Sequence, residues 1–174
     1  PLDPNFKNTI LPSSDTICEE SRHIQNSSGI INKIQIDNSY FDALDLDFSK
    51  IKINDLKVNN AKNDCIDFSF GEYEIINANL KNCGDKGLSV GERSKLNMHN
   101  GVIMYSNIGI ASKDDAITNV KNVAMNNMNI CLAAYNKKKE FKGSKLNIKS
   151  LNCNQYNTLK QLDRLSEINI LKQN

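Results

Sequence analysis

Apolar and polar residues alternate with a period of two through much of this chain, as in Ile51-Lys52-Ile53, Asp67-Phe68-Ser69, Leu88-Ser89-Val90 and Leu146-Asn147-Ile148. That period predicts short extended runs with one face buried. Gly, Asn, Asp and Ser punctuate the runs, as turns require. No window carries a clean helical stripe, and only the weak pattern from Tyr156 to Ile168 approaches one. A second, longer period of 22 residues lies over the first. It aligns Asp42-Ala43-Leu44-Asp45, Asp64-Cys65-Ile66-Asp67, Lys86-Gly87-Leu88-Ser89, Ile108-Gly109-Ile110-Ala111 and Ile130-Cys131-Leu132-Ala133. In each step the second residue is small and the third aliphatic. Upstream, the same step aligns Asn38, Asn60, Asn82 and Asn126, interrupted by Met104, and also Ile36, Val58, Leu80, Val102 and Ala124.

A fixed period of this length is the mark of a solenoid. Three short strands per circuit of about 22 residues describe an all-β, right-handed, single-stranded parallel β-helix, its coils stacked roughly 4.8 Å apart. Leu44, Ile66, Leu88, Ile110 and Leu132 then form one internal stack, and the Asn positions form an amide ladder along the axis. The expected organisation is an irregular or divergent first coil over 1–29, β-helix coils over 30–156, and a terminal coil or cap over 157–174. A leucine-rich repeat would require a denser Leu pattern. Bringing Asn152-Cys153 under Asn82-Cys83 needs an insertion of about four residues, which places a Lys-rich loop after Tyr135.

Composition narrows the class. The chain has 174 residues, a net charge of +2, 27 asparagines and no tryptophan. No basic stripe interleaves with aromatics, which argues against nucleic acid. No apolar run is long enough for a membrane span. The chain starts Pro1-Leu2-Asp3-Pro4 and reads as a piece of a longer protein with flanking domains, extracytoplasmic or at a cell surface. Five cysteines, an odd number, argue against a complete disulfide framework. Cys65 and Cys131 share a column three coils apart, about 14 Å, too far to bridge. Cys83 and Cys153 are expected to share another, and all serve as small buried hydrophobes.

Candidate chemistry gathers on one outward face. Asp45 and Asp47 stack under Asp67 and Ser69, then Ser89 and Gly91, Ala111 and Lys113, Ala133 and Tyr135; a third column is Asp42, Asp64, Lys86. Carboxylates about 5 Å apart must share a proton, take a cation such as Ca²⁺, or pair with lysine. Asp45, Asp67, Lys86 and Lys113 are therefore the candidate catalytic set, and Asp45 with Asp67 the candidate metal ligands. Asp42, Asp47, Asp64, Ser89 and Tyr135 are the candidate ligand-binding residues. Two such carboxylates suit glycoside hydrolysis; calcium beside a lysine base suits β-elimination from a uronate. The same charges can equally be cross-strand ion pairs that keep a sheet soluble. His99 falls in the column of Asp55, Asn77 and Lys121, on another face, and Arg93 sits in the turn Gly91-Glu92-Arg93-Ser94.

At the stretches 42–49, 63–71, 83–92, 107–114 and 133–138 the chain resembles the pectate-lyase-like right-handed β-helix superfamily. More narrowly, it is similar to the β-helix domains in or beside bacterial spore-coat-H-like proteins. The resemblance implies polysaccharide lyases, hydrolases and epimerases, but also non-catalytic adhesive modules. The polygalacturonase-like Gly-His-Gly and Arg-x-Lys elements are absent. The expected function is a carbohydrate-binding or polysaccharide-processing module of a larger bacterial surface protein, with a polysaccharide or acidic glycan as partner. The alternative is a structural or adhesive solenoid acting as spacer or docking surface. A ligand face should be bounded by longer loops; a spacer should pair each Asp with a Lys.

Overall fold

Alternating residues with repeated turns build one continuous parallel β-solenoid in the computed structural model, which describes residues 9–11 and 22–173. Its strands are β1 (Thr9–Leu11), β2 (His23–Gln25), β3 (Ser28–Ser39), β4 (Leu44–Asp47), β5 (Lys50–Ala61), β6 (Ile66–Ser69), β7 (Glu72–Gly91), β8 (Lys95–Lys113), β9 (Ile117–Tyr135), β10 (Lys145–Leu162) and β11 (Glu167–Gln173). Every pairing is parallel, and Ser28, Lys50, Glu72, Lys95, Ile117, Lys145 and Glu167 stack as the starts of successive coils. No described residue is helical, so the weak stripe from Tyr156 to Ile168 is strand and turn. Nor are there three separate short strands per coil. From β7 onward the ladder runs through the corners as strands of up to 20 residues.

Leu44, Ile66, Leu88, Ile110 and Leu132 pair in one column, each at most 1% exposed. Beside them the small column leaves room for the facing wall: a Cβ on Gly87 would lie 2.6 Å from Ile103, and one on Gly109 2.5 Å from the Met125 sulfur. On the facing wall the step departs from 22 residues at three places among the described residues: 25 between β1 and β3, 28 across the insertion after Tyr135, and 23 between β7 and β8. Glu72 pairs with Lys95, 23 residues on, because the turn after Gly91 holds one extra residue, and a register shift between Cys83 and Lys86 restores the step. The buried column therefore runs Ile36, Val58, Leu80, Ile103, Met125, Cys153. Val102 and Ala124 point outward instead, Val102 being 39% exposed.

The same shift moves the turn ladder. Asn38, Asn60 and Asn82 adopt positive φ and bond side chain to side chain at 2.9 and 2.7 Å. Above them Tyr105 and Asn127 take the left-handed position, not Met104 and Asn126. Asn and Asp reach that conformation more readily than most residues, which explains their abundance at these corners.

The cysteine expectation is overturned. Cys65 bonds to Cys83 and Cys131 to Cys153. Cys131–Cys153 crosses between facing walls, because Gly109 below Cys131 faces Met125 and Cys153 pairs with Met125. Cys65–Cys83 instead joins the small column to the residue just past the Asn82 corner. Column arithmetic along the axis samples neither direction. Cys83 pairs with Ser106, whereas Cys153 pairs with Met125, so the two share no column. Cys18 lies outside the described residues, as does most of the stretch 1–29. The insertion after Tyr135 is also larger than four: Ile117 pairs with Lys145, 28 residues on, six more than the common step. On the outermost coil Lys160 takes the place of Leu132 in the inward column and donates to the Ile168 carbonyl across the mouth at 3.4 Å.

Candidate functional site

The candidate face is the wall formed by β4, β6 and the last residues of β7, β8 and β9. It is fixed from within by Tyr73, whose hydroxyl donates to the Leu46 carbonyl at 2.8 Å. The columns pair as the repeat implies, Asp45, Asp67, Ser89, Ala111 and Ala133 in sequence with Asp47, Ser69 and Gly91 beside them. The expected outward face does not extend along them, however: Ser89, Ala111 and Ala133 are at most 1% exposed, and only Asp45 and Asp67 of the first column are partly open. Lys113 pairs with Tyr135 on the coil above.

Lysine placement is decisive here. Lys113 is only 4% exposed. Its stem passes over Gly91, where an added Cβ would lie 3.2 Å from Lys113 Cε. The ammonium then ends 3.6 Å from Asp67 Oδ1. Gly91 is thus the channel through which a lysine reaches a carboxylate two coils away. Lys86, also buried, has its Nζ 3.3 Å from Asp64 Oδ1 and in contact with Asp85. These lysines run inward along the wall rather than out into solvent.

The third column is a backbone device as well as a charge cluster. Asp42 Oδ1 accepts the Asp64 N–H at 2.8 Å, and Asp64 Oδ1 accepts the Lys86 N–H at 3.0 Å. Burial pushes the Asp64 carboxyl up to about 6, against the opposing charge of Lys86. Burial likewise raises Asp67, opposed by Lys113. Burial works against the Lys86 ammonium, but Asp64 and Asp85 outweigh it and raise its pKa. Burial raises Tyr135 too. Ser89 is fully buried next to Asp67, and its hydroxyl acts with Lys113 to hold the Asp67 pKa down against burial.

The proposed metal pair divides. Asp45 and Asp67 are neighbours in the ladder, yet their carboxylates join different groups: His23, Asp45 and Asp47 in one, and Asp42, Asp64 and Asp67 in the other, each with ligand atoms within 4.8 Å. His23 Nε2 is 3.0 Å from Asp47 and 3.9 Å from Asp45. The all-oxygen trio has the donors a hard cation prefers. Lys86 and Lys113 compete with any such ion for the same oxygens.

The insertion of 136–144 bounds this face at its downstream edge. Asp114 Oδ1 accepts the N–H groups of Lys137 and Lys138 at 2.6 and 2.8 Å, anchoring the loop. Lys138 then reaches Glu92 at 2.7 Å, and Glu92 accepts from Ser69 at 2.7 Å. Burial raises Glu92, but the bonds from Lys138 and Ser69 outweigh it and leave its pKa low. Phe141 lies against Phe70, with Arg93 5.4 Å from its ring.

Asp85, Glu92 and Lys138 were not among the residues singled out from sequence. Asp85 had a signal: it stands one step before Lys86, in a ladder through Asn107 and Asn129. Glu92 and Lys138 had none, because an extra residue and a loop place them. His99 lies one place off the expected column, since Asn77 pairs with Asn100, and it meets Glu74 at 3.1 Å. Among the described residues no helix is long and apolar enough to cross a membrane. No family model, no curated protein and no solved structure matches the chain.

Proposed function

We propose that this wall binds an acidic carbohydrate, and that the chain is a carbohydrate-binding or polysaccharide-processing module of pectate-lyase-like kinship. It would serve a larger bacterial surface protein, as in the β-helix domains found in or beside spore-coat-H-like proteins. The observation that carries the reading is the convergence of Lys86, Lys113 and Tyr135 with Asp64 and Asp67 on one wall, bounded by the longest insertion in the solenoid. A uronate carboxylate would take the place of Asp64 or Asp67 as partner of the buried Lys86 or Lys113, and the displaced carboxylates with a tyrosine hydroxyl suit sugar hydroxyls. Binding is favoured over elimination because Lys86 is held in its charged form and makes a poor base. The two internal disulfides support an oxidising, extracytoplasmic compartment.

Calorimetric titration with oligogalacturonate, oligoalginate and hyaluronan oligomers tests the proposal. At least one should bind, and Lys113→Met should weaken it about tenfold or more, a loss of ~1.4 kcal/mol or greater. No heat with any of them, or equal affinity in the variant, would refute it. The second reading, a spacer or docking solenoid, is favoured by the direct pairing of Asp64 with Lys86 and of Asp67 with Lys113. It gains if all three titrations are silent.

A further inference from the structure

A second surface, away from the charged wall, has the form of a site for an uncharged ligand. A groove of about 480 Å³ runs along the solenoid axis from Lys33 and Ile34 over their counterparts in the coils above, up to Ser150. One wall is the column Asp55, Asn77, Asn100 and Asn122. Each amide donates to the residue one coil below, at 3.0, 3.2 and 3.1 Å. The floor and far side carry Asn79 and the outward-turned Val102 and Ala124. The one-residue register shift is what turns those two aliphatics outward, so the shift creates this lining.

The ladder leaves chemistry unused. A primary amide has two N–H donors and two carbonyl lone pairs, and the ladder takes one of each. Every inner rung therefore presents a free donor and a free acceptor, repeated at the coil spacing of about 4.8 Å. Charge is confined to one end, at Lys33, Asp55 and Lys57; the coils above add only amides, Ser150 and aliphatics. That excludes a polyanion. An extended peptide repeats its backbone groups about every 6.8 Å on one side, out of step with the rungs. A straight chain of pyranose rings advances by close to one rung per ring, with hydroxyls at its edges and C–H faces for an apolar floor.

The geometry points to a binding groove for a linear, uncharged polysaccharide lying parallel to the axis, one sugar ring per coil. The groove crosses six coils, from Lys33 to Ser150, about 24 Å at the coil spacing, so affinity should rise with oligomer length and level off near six rings.

The test is titration with cellohexaose, xylohexaose and chitohexaose, and with the dimer of each, monitored by backbone and side-chain amide NMR. At least one hexamer should bind at millimolar or lower concentration and its dimer at least about tenfold more weakly. The shifts should fall on the side chains of Asn79, Asn100 and Asn122. Ala124→Trp, at an exposed position, should abolish binding, and Asn100→Leu should weaken it while keeping side-chain bulk. Lys113→Met should leave it unchanged, which separates this groove from the charged wall. Three silent hexamers, length-independent binding, shifts elsewhere, or full affinity in both groove variants would overturn the inference.

Discussion

Asp64 combines a backbone duty with an ionic one, and this makes its titration informative. Its Oδ1 holds the Lys86 N–H while its charge faces Lys86 Nζ. Because burial raises its pKa to about 6 from the ordinary value of 3.8, the folded chain holds the proton more tightly than the unfolded one. Its contribution to stability is therefore fullest below the unfolded value near 3.8 and falls as pH rises through about 6. Carboxyl NMR should show this titration near 6, and Lys86→Met should move it higher by removing the opposing charge. A drop instead would mean that burial does not govern the site. Gly91 makes a second residue-scale prediction. Its Cβ direction is occupied by Lys113, so Gly91→Leu should displace the ammonium from Asp67. Acidic-glycan affinity should fall as in Lys113→Met, with the fold retained.

Among the elements, the strands and their core were legible, and the corners were not. The column from Leu44 to Leu132 was readable because that wall keeps its 22-residue step through five coils. The facing wall was misread from Val102 onward because one extra residue in the turn after Gly91 is invisible to a fixed period. Reading Cys65 and Cys131 as a stack was right about the column and wrong about the partner, since the bridges run to other columns, Cys65 to the residue past the Asn82 corner and Cys131 to the facing wall. Closing loops of 18 and 22 residues, each bridge should contribute about 3 kcal/mol by constraining the unfolded chain. Cys65→Ala with Cys83→Ala should lower the denaturation midpoint accordingly; an unchanged midpoint would mean that the bridge is absent or offset by strain. The long insertion is held tightly at its far end. A Cβ on Gly143 would lie 1.9 Å from the Leu165 carbonyl oxygen, a backbone clash that side-chain motion cannot relieve. Gly143→Ala should cost about 1–3 kcal/mol in chemical denaturation, whereas Lys139→Ala, exposed in the same loop, should cost little.

For the molecule as a whole, stacking is what converts a sequence of scattered Asp, Lys and Asn residues into two continuous surfaces. One is ionic, where Asp64, Asp67, Lys86 and Lys113 meet; the other is an amide groove without charge over most of its length. The charged columns could be inferred from the repeat, because they lie on the wall that keeps its 22-residue step from Leu44 to Leu132. Burial of the lysines and the groove could not, as both depend on Gly91, the register shift and the loop. Both surfaces require the coil-to-coil alignment described, and the disulfides report it, Cys131–Cys153 between facing walls and Cys65–Cys83 at the corner after Asn82. Peptide mapping of the unreduced protein by mass spectrometry should recover Cys65 linked to Cys83 and Cys131 linked to Cys153. A Cys65–Cys131 linkage, or free thiols at these four positions after expression in an oxidising compartment, would contradict the account.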